Sequence, residues 1–319
     1  MALGEFELIE KYFTRPPRRA ALGVGDDCAL LAPAPGMQLC ISSDMLVEGR
    51  HFVSTVPPQR LGHKALAVNL SDLAACGAEP LAFTLALALP RADEAFLEPF
   101  AQGLWALAEQ HDVDLVGGDT TAGPLNICIT VFGQVPTGQA LLRNGARPGD
   151  ELWVSGTLGD ARAALECLRG TLEVGGEGFD RLRQAMELPV PRVALGMRLR
   201  GIASSAIDLS DGLLGDLGHV LRRSSVGARL NLDAVPRSAL LASLPAAMQR
   251  LCLLHGGDDY ELLFSAAPAR HAAVRAAASA AGVSVSQIGH IEAGAALVVV
   301  DGTGQVLDES ARGFDHFRA

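Results

Sequence analysis

The sequence predicts an α+β fold in two domains. Strand-like and helix-like segments alternate in both halves of the 319-residue chain, as they do in proteins that pack helices on sheets. Two apolar strand-like runs, residues 81–89 and 125–135, look like antiparallel neighbours, which argues against a simple doubly wound parallel sheet. The turn sequence Arg147-Pro148-Gly149-Asp150 marks a boundary near the middle. We therefore expect one domain over residues 1–147 and a second over residues 148–319.

Hydrophobic spacing and breaker residues locate the elements of the first half. The proline-containing TRPPRR stretch ends the first helix, and Pro57 and Pro58 precede the second, which Gly77 closes. The first strand reads as buried and is expected to end at Asp44. The predicted helices are Leu3 to Phe13, Gln59 to Gly77 and Asp93 to His111, and the predicted strands are Met37 to Ser43, Leu81 to Leu89, Val113 to Val116 and Leu125 to Val135.

The second half continues the alternation. A turn of small residues, TLGDA, leads from a strand into a helix, and an alanine-rich helix is followed by short apolar strands. The predicted helices are Gly156 to Leu168, Val193 to Arg200, Leu213 to Arg223 and Ala272 to Ala281, and the predicted strands are Glu151 to Ser155, Ala203 to Ile207, Val283 to Ile288 and Ala296 to Val300.

Composition and charge exclude several classes of protein. With 49% hydrophobic and 19% charged residues, the chain is typical of a globular protein. A net charge of −10 argues against a nucleic-acid surface. Three glutamates interrupt the N-terminal stretch that a signal peptide would keep apolar, and the most apolar run is about half the roughly 20 residues of a spanning helix. The six scattered cysteines read as free thiols. We expect a soluble, cytoplasmic protein without nucleic-acid or membrane partners.

The scarcity of lysine limits how this chain can bind phosphate. Lys11 and Lys64 are its only lysines, and neither follows a glycine-rich loop, so the sequence contains no P-loop. The paired HRD and DFG motifs of protein kinases are also absent. Any nucleotide chemistry must therefore hold phosphates through metal ions and arginine.

Five short segments place aspartate beside glycine, serine or a second aspartate, at the expected ends of strands or helices. They are GVGDD (Gly23 to Asp27), SSDMLVEGRHF (Ser42 to Phe52), NLSD (Asn69 to Asp72), GGDTT (Gly117 to Thr121) and IDLSDGL (Ile207 to Leu213). Carboxylate and hydroxyl oxygens suit Mg²⁺, and Mg²⁺ commonly accompanies substrate phosphates. Together the segments indicate one carboxylate site in a phosphate-transferring enzyme.

Each segment also has a purely structural explanation. The two adjacent aspartates of GVGDD fit a solvated turn, Asp119 fits a helix N-cap, and Asp208 with Asp211 could cap the helix that follows. Asp72 is harder to explain, because an unpaired carboxylate in an alanine- and leucine-rich helix is costly. Five independent coincidences are less plausible than one site.

Eight segments, taken in order, carry a resemblance to a known enzyme family. They are GVGDD, SSDMLVEGRHF, KALAVNLSDLAACGAEP, VGGDTT, RNGARPGD, IDLSDGL, GGDDYELLF and GFDHF. This series resembles the thiamine-monophosphate kinase family, in the superfamily of aminoimidazole ribonucleotide synthetase and selenophosphate synthetase. From about Gly23 to Phe317, it covers nearly the whole chain.

The resemblance implies a fold and an activity. The fold is an aminoimidazole ribonucleotide synthetase-like pair of domains: an α/β-type N-terminal domain that dimerises by strand pairing, and an α+β C-terminal domain that completes the active site. The activity is direct in-line transfer of the ATP γ-phosphoryl group to thiamine monophosphate, giving thiamine diphosphate. Several Mg²⁺ ions assist the transfer, and no covalent nucleophile is expected.

The resemblance also implies three sets of site residues. The metal-binding positions are Asp27, Ser42, Ser43, Asp44, Asp72, Asp119, Asp208 and Asp211. The nucleotide contacts are Gly118, Asp119, Arg143 and Ser210, and the substrate contacts are His51, Glu261 and Phe314. The chain departs from the family where serines replace the usual threonines before Asp44, where GGEDYEL becomes GGDDYEL, and where Phe314 stands for a frequent Trp or Tyr. A hydroxyl, a carboxylate and an aromatic ring are kept at these positions.

Other functions remain open at this point. A sister synthetase that activates another substrate with ATP would use the same aspartates. Selenophosphate synthetase is disfavoured because no Cys or Lys lies in a glycine-rich loop before Gly23, and aminoimidazole ribonucleotide synthetase because SSDMLVEGRHF and GFDHF match the thiamine family better. A non-catalytic nucleotide- or metal-binding scaffold should have lost some of the aspartates, and all six are present.

Overall fold

The computed structural model describes residues 4–309, which form two compact units. Unit 1 comprises residues 4–73 and 78–138, and unit 2 comprises residues 74–77 and 139–309. Over residues 4–309, unit 1 contains a four-stranded sheet and unit 2 a seven-stranded sheet, each accompanied by helices. The predicted α+β class with two domains is confirmed.

Unit 1 begins with a short helix, α1 (Glu5–Leu8), which continues as a π-helical turn, Ile9–Phe13. Its sheet has the order β1-β4-β2-β3, with β1 and β2 antiparallel to β4 and β3 parallel to β2. The predicted antiparallel pairing of residues 81–89 with 125–135 is therefore confirmed. The elements are β1 (Met37–Val47), α2 (Pro58–Ala75, whose last two residues belong to unit 2), β2 (Glu79–Leu89), α3 (Glu94–Gln110), β3 (Asp114–Ala122) and β4 (Asn126–Pro136).

The prediction for β1 was wrong in two respects. The strand does not end at Asp44 but continues to Val47, because all eleven of its residues pair with β4. It is also not buried, because it is an edge strand whose Leu39, Ile41 and Met45 side chains are exposed. Pairing with β4, about 90 residues further along the chain, sets the length of β1. The hydrophobicity of β1 itself carries no information about that pairing.

The prediction for β3 was also too short. The strand continues through GGDTT and pairs with β2 as far as Ala122. Asp119 therefore lies within a strand, and it is neither a strand end nor a helix N-cap. The Gly-Gly-Asp run reads locally as a turn, but the neighbouring strand supplies the hydrogen bonds that keep this segment extended.

Helices α2 and α3 pack together through glycines. A Cβ atom on Gly62 would collide with the Phe100 carbonyl, and one on Gly103 would collide with the Gln59 carbonyl. The close approach fixes α2 at one position in unit 1. About three turns beyond Gly62, the face of α2 that carries Asp72 meets β1.

Unit 2 carries a mixed sheet of order β11-β10-β7-β9-β5-β8-β6. Its strands are β5 (Glu151–Ser155), β6 (Ser205–Asp208), β7 (Gly227–Asn231), β8 (Leu262–Ala266), β9 (Val285–Glu292), β10 (Leu297–Val300) and β11 (Val306–Leu307), and its helices are α4 (Asp160–Leu168), α5 (Gly176–Glu187), α6 (Val193–Leu199), α7 (Leu213–Ser224), α8 (Ala239–Ala242), α9 (Ala246–His255) and α10 (His271–Ala281). The helices α5, α8 and α9 and the strands β7, β8 and β11 were not predicted. No helix within residues 4–309 is both long and apolar enough to cross a membrane.

Candidate active site

Three of the predicted metal ligands meet where β1 faces α2. Ser42 Oγ donates a hydrogen bond to the Asp72 carboxylate. The Asp44 N–H donates to Asn69 Oδ1 at 3.0 Å, and the buried Asn69 amide is itself anchored on the Ala65 carbonyl at 3.0 Å. Because alternate residues of a strand point to the same face, Ser42 and Asp44 both face the helix that carries Asp72. The structure thus brings one hydroxyl and two carboxylates together.

Two other predicted ligands lie on the opposite face of the same sheet. Ser43 Oγ hydrogen-bonds to Thr130 Oγ1 at 2.9 Å and donates to the Ile129 carbonyl at 3.2 Å. Through β4 and β2, Asp119 is in register with Met45, which shares a face with Ser43. The predicted ligands of unit 1 are therefore divided between two faces of one sheet.

A cavity of about 520 Å³ joins GVGDD to GGDTT in unit 1. Asp26, Asp27, Gly118 and Asp119 lie on its wall, and the Asp27 N–H donates to Asp26 Oδ1 at 2.8 Å. The rest of the wall is largely apolar and includes Phe6, Ile9, Phe13, Val24 and Leu115. One cavity thus combines a carboxylate rim with apolar and aromatic surface.

Glycine is required at position 118 of this wall. Gly118 has φ +148°, a conformation that side chains rarely permit, and a Cβ there would collide with the Leu85 carbonyl. The close packing of β3 against β2 therefore excludes a side chain beside Asp119.

His51 lies in the turn that follows β1. Its Nδ1 accepts the Val47 N–H at 3.0 Å, and its carbonyl accepts a hydrogen bond from the buried Lys64 ammonium at 3.3 Å. Because Nδ1 is an acceptor, the neutral imidazole carries its proton on Nε2, which can act as a donor.

In unit 2, carboxylates cluster around the turn between β6 and α7. Asp208 ends β6 and is buried, and the Asp211 N–H donates to Asp216 Oδ2 at 3.0 Å. Burial, followed by the charge of Asp211, raises the pKa of Asp216 to about 7, while the charge of Arg143 opposes this rise. Arg143 also lowers the pKa of His219, after burial and Arg222. Arg143 therefore lies close to the acidic turn.

Asp216 was missed by the sequence reasoning. It follows Asp208 and Asp211 in the first turn of α7, at a position where a carboxylate also reads as a favourable charge at a helix N-terminus. The repeated aspartates of IDLSDGLLGD were the available signal.

The GGDDYEL segment lies against the same turn. The N–H groups of Asp258 and Tyr260 donate to the carbonyls of Ser210 and Leu209 at 3.0 and 2.8 Å. Both donor residues have positive φ (+67° and +50°), and Tyr260 Oη donates to Asp258 Oδ1 at 3.0 Å. A non-glycine residue in this left-handed backbone conformation costs on the order of 1–3 kcal/mol, so the surrounding hydrogen bonds must hold Asp258 and Tyr260 in it. The backbone of Ser210 is thereby fixed.

Glu261, a predicted substrate contact, is buried among internal partners. Ser155 Oγ donates to its Oε2, and the Arg192 guanidinium binds both of its oxygens, with Nε 2.7 Å from Oε2. Arg192 was not singled out from the sequence, and PVPRV contains no signal that would have done so. Phe314, the third predicted substrate contact, lies outside the described residues.

The donor chemistry of both units fits Mg²⁺. Within residues 4–309, no three His, Cys, Asp or Glu side chains are grouped so as to hold a metal ion on their own. Ser42, Asp44 and Asp72 offer oxygen ligands alone, and in unit 2 the buried Asp216 carboxylate, whose pKa is raised by burial and then by the charge of Asp211, accepts the Asp211 N–H. Mg²⁺ typically takes one or two carboxylates and completes its coordination with water and substrate phosphate. The sparse protein ligands suit that mode of binding.

Comparison with known proteins assigns both halves of the chain to one group. Residues 25–135 match the family model of the AIR synthase related protein, N-terminal domain, and residues 147–302 match that of its C-terminal domain. The chain is 45% identical to the thiamine-monophosphate kinase of Salmonella typhimurium and 44% identical to that of Escherichia coli K12, over 99% of each chain in both cases.

Solved structures give the same result. The thiamine-monophosphate kinase of Stenotrophomonas maltophilia K279a superposes with a TM-score of 0.84 at 46% identity, covering 91% of this chain and 92% of that one. AaThiL complexed with AMPPCP and TMP superposes with a TM-score of 0.78 at 29% identity, covering 90% and 89%.

Proposed function

The chain belongs to the thiamine-monophosphate kinase family of AIR synthase related proteins, and we propose that it transfers the γ-phosphoryl group of ATP to thiamine monophosphate. The products are thiamine diphosphate and ADP. The observation that carries the proposal in this chain is the cavity of unit 1, where the GVGDD loop and GGDTT present carboxylates and close backbone beside aromatic surface. Such a wall suits the metal-bound phosphates and the ring of a nucleotide.

Positioning and electrostatics account for the chemistry. Two phosphate groups must approach within about 3 to 3.5 Å for in-line attack, although both are anions. Bound Mg²⁺ would neutralise charge on both phosphates. The acceptor phosphate is largely ionised at pH 7, with a second pKa of about 6, so no general base is needed. We therefore assign no side chain as nucleophile.

The metal and nucleotide assignments follow the groups seen in each unit. Ser42, Asp44 and Asp72 are proposed as one set of Mg²⁺ ligands, Ser43, Asp27 and Asp119 as ligands of the other face of the sheet, and Asp208 and Asp211 as the ligands of unit 2. Gly118, Asp119, Arg143 and Ser210 are proposed as nucleotide contacts. Arg143 is exposed, and its planar guanidinium can bind two phosphate oxygens at once.

The substrate contacts rest on different amounts of structural support. His51 lies in the turn after β1, and because its Nδ1 accepts the Val47 N–H, its Nε2–H is the group proposed to donate to a phosphate oxygen. Glu261 already satisfies Arg192 and Ser155, so it acts on thiamine either through a remaining lone pair or by holding Arg192 in place. Phe314 is proposed as a ring contact, where an aromatic face over a thiazolium cation contributes about 1 kcal/mol.

The wider assignments are part of the same proposal. We assign nucleotide and metal binding to residues 1–147 and completion of the site to residues 148–319, whereas the two compact units divide between residues 138 and 139. The enzyme works as a homodimer, which is supported by the exposed apolar side chains of the edge strand β1. A cytoplasmic location is supported by six free thiols at positions 28, 40, 76, 128, 167 and 252.

³¹P NMR of the purified protein with ATP, Mg²⁺ and thiamine monophosphate tests the proposal. Thiamine diphosphate resonances that grow together with those of ADP are the expected result. Consumption of ATP only with a different acceptor would reassign the chain to a sister synthetase. Binding of Mg²⁺ and ATP without consumption of ATP would favour the alternative of a non-catalytic nucleotide- and metal-binding scaffold.

A further inference from the structure

Asp114 is a buried carboxylate with an unusual set of partners. It begins β3, is 5% exposed, and its Oδ2 accepts the successive N–H groups of Arg18, Arg19 and Ala20 at 2.7, 2.6 and 3.2 Å. Its Oδ1 accepts the Arg18 Nε at 3.4 Å. Three consecutive backbone N–H groups converge on one carboxylate and donate charge-assisted hydrogen bonds to it. These bonds fix the backbone of residues 18–20.

The segment bound by Asp114 is also held from its other side. Arg19 Nη1 donates to the Pro80 carbonyl at 2.8 Å, and its Nη2 binds the Glu79 carboxylate. Ala20 packs on a small buried cluster of β2 and β3 residues. Residues 18–20 are therefore attached to the sheet by backbone, side-chain and apolar contacts together.

The attached segment leads directly into the loop that carries GVGDD. The Ala21 N–H donates to the Leu30 carbonyl at 2.9 Å, and the Leu30 N–H donates to the Leu22 carbonyl at 3.0 Å. These bonds close residues 21–30 into a loop with Asp26 and Asp27 in it. The position of both aspartates therefore depends on where residues 18–20 are held.

The same strand carries the opposite wall of the cavity. Gly118 and Asp119 follow Asp114 on β3, and five residues of a strand span roughly 17 Å. Asp114 is not on the cavity wall, whereas Asp27, Gly118 and Asp119 are. Asp114 is thus the point at which the loop is tied to the strand it faces.

We propose that Asp114 is a positioning residue of the kinase site: it holds the GVGDD loop on β3 so that Asp27 and Asp119 face one cavity. The inference rests on the proposed binding of Mg²⁺ and nucleotide at that cavity. A carboxylate is needed because one oxygen accepts three amides, which a neutral amide side chain does weakly and only through its oxygen.

Asp114→Asn is the test variant, and Asp112→Asn is its matched control. Asp112 also pairs with Arg18, at 3.0 Å from Nη1, but it is exposed, and within residues 4–309 its carboxylate accepts no backbone N–H. Its φ of +49° is one that asparagine adopts readily, so the control substitution is mild. Should Asp114→Asn fail to fold, Asp114→Thr retains an acceptor and favours a strand.

Two measurements are made on the full-length protein. Hydrogen exchange of peptides from residues 18–30 should quicken in Asp114→Asn and stay at the wild-type rate in Asp112→Asn. The Kd for Mg·AMPPCP, by calorimetry, should rise about tenfold in Asp114→Asn, as expected for losing hydrogen bonds to a charged acceptor, with a matching rise in KM for Mg·ATP and a kcat within about twofold. Asp112→Asn should keep both constants.

A double-mutant cycle separates positioning from a general structural effect. If Asp114 acts through the loop, Asp114→Asn should change the Kd less than about twofold in an Asp27→Asn background. Full additivity of the two substitutions, or a wild-type Kd in Asp114→Asn, would overturn the inference alone. Absence of Mg·AMPPCP binding by the wild-type protein would instead overturn the proposed function together with the inference.

Discussion

The guanidinium of Arg192 donates two hydrogen bonds to the carboxylate of Glu261, 69 residues away, inside unit 2. Both side chains are largely buried. Burial alone would lower the pKa of Arg192, but its bonds with Glu261 outweigh burial and raise that pKa. Such a pair is neutral as a unit, whereas either partner left alone is a buried charge without compensation.

Arg192→Met should therefore destabilise the protein strongly. Removal of one partner of a buried pair costs about 3 to 5 kcal/mol, because the remaining charge stays in a low-dielectric interior. Urea unfolding monitored by circular dichroism gives the change in the free energy of unfolding. Arg181→Met is the matched control, since Arg181 pairs with Glu177 on an exposed helix face and should cost about 1 kcal/mol or less. Similar losses in the two variants would contradict the buried-pair interpretation.

Asp211→Asn should abolish Mg²⁺-dependent turnover and leave the fold intact. The substitution keeps the shape of the side chain but removes the charge from a turn whose backbone is fixed by Asp216 and by GGDDYEL. Coupled detection of ADP measures turnover, and circular dichroism checks the fold. Asp180→Asn, on the exposed surface of α5, should retain wild-type activity. A fully active Asp211→Asn enzyme would remove Asp211 from the metal site.

Elements with strong local periodicity could be predicted from the sequence. The apolar runs that became β2 and β4 were assigned as antiparallel neighbours, and the helices bounded by proline, aspartate and glycine were located within a few residues. The ends of β1 and β3 could not be predicted, because strand pairing with a distant segment sets them. GGDTT shows this best, since its Gly-Gly-Asp run favours a turn and pairing with β2 keeps it extended.

For the site as well, local sequence signals could be predicted and contacts between distant segments could not. The aspartates of short motifs were found because residue type and spacing are local signals. Arg192, Asp114 and Asp216 were not found, because what gives each its role is a partner brought close by folding. The division of Ser42 and Ser43 between two faces of the sheet was also not foreseen, although the predicted strand Met37 to Ser43 contains both and neighbouring strand residues point to opposite faces.

The stability of unit 1 should depend on pH through His111. Burial lowers the pKa of His111, and the charge of His63 lowers it further. Its Nε2 is buried and, within residues 4–309, has no hydrogen-bond partner. The unfolded chain takes up a proton near pH 6.5 and the folded state only at lower pH, so the free energy of unfolding should fall as the pH drops below about 6.5.

Unfolding experiments between pH 7.5 and pH 5, roughly the range over which histidine changes charge, measure this effect. His111→Gln should reduce the slope of stability against pH, because it removes the titrating group. His290→Gln, at an exposed position of unit 2, is the control and should leave the slope as it is in the wild type. An unchanged slope in His111→Gln would show that other groups cause the acid destabilisation.

The exposed face of β1 should be the surface on which two copies of the chain pair. Ile41 is 61% exposed and lies with Leu39 and Met45 on an edge strand, where unpaired backbone and apolar side chains favour addition of another strand. Ile41→Asp places a charge in that interface, and like charges would face each other across a two-fold axis. Sedimentation equilibrium should therefore give twice the chain mass of 33.3 kDa for the wild type and the single-chain mass for Ile41→Asp.

Val306→Asp provides a control with matched exposure for this last prediction. Val306 is 62% exposed, so its substitution adds the same charge to an equally accessible apolar position, but in unit 2. It should leave the dimer intact. Dissociation by both variants would point to net charge as the cause, because added negative charge on a chain that already carries −10 increases repulsion between copies wherever it is placed. Dissociation by Ile41→Asp alone would locate the interface on β1, and a wild-type monomer would refute the dimer itself.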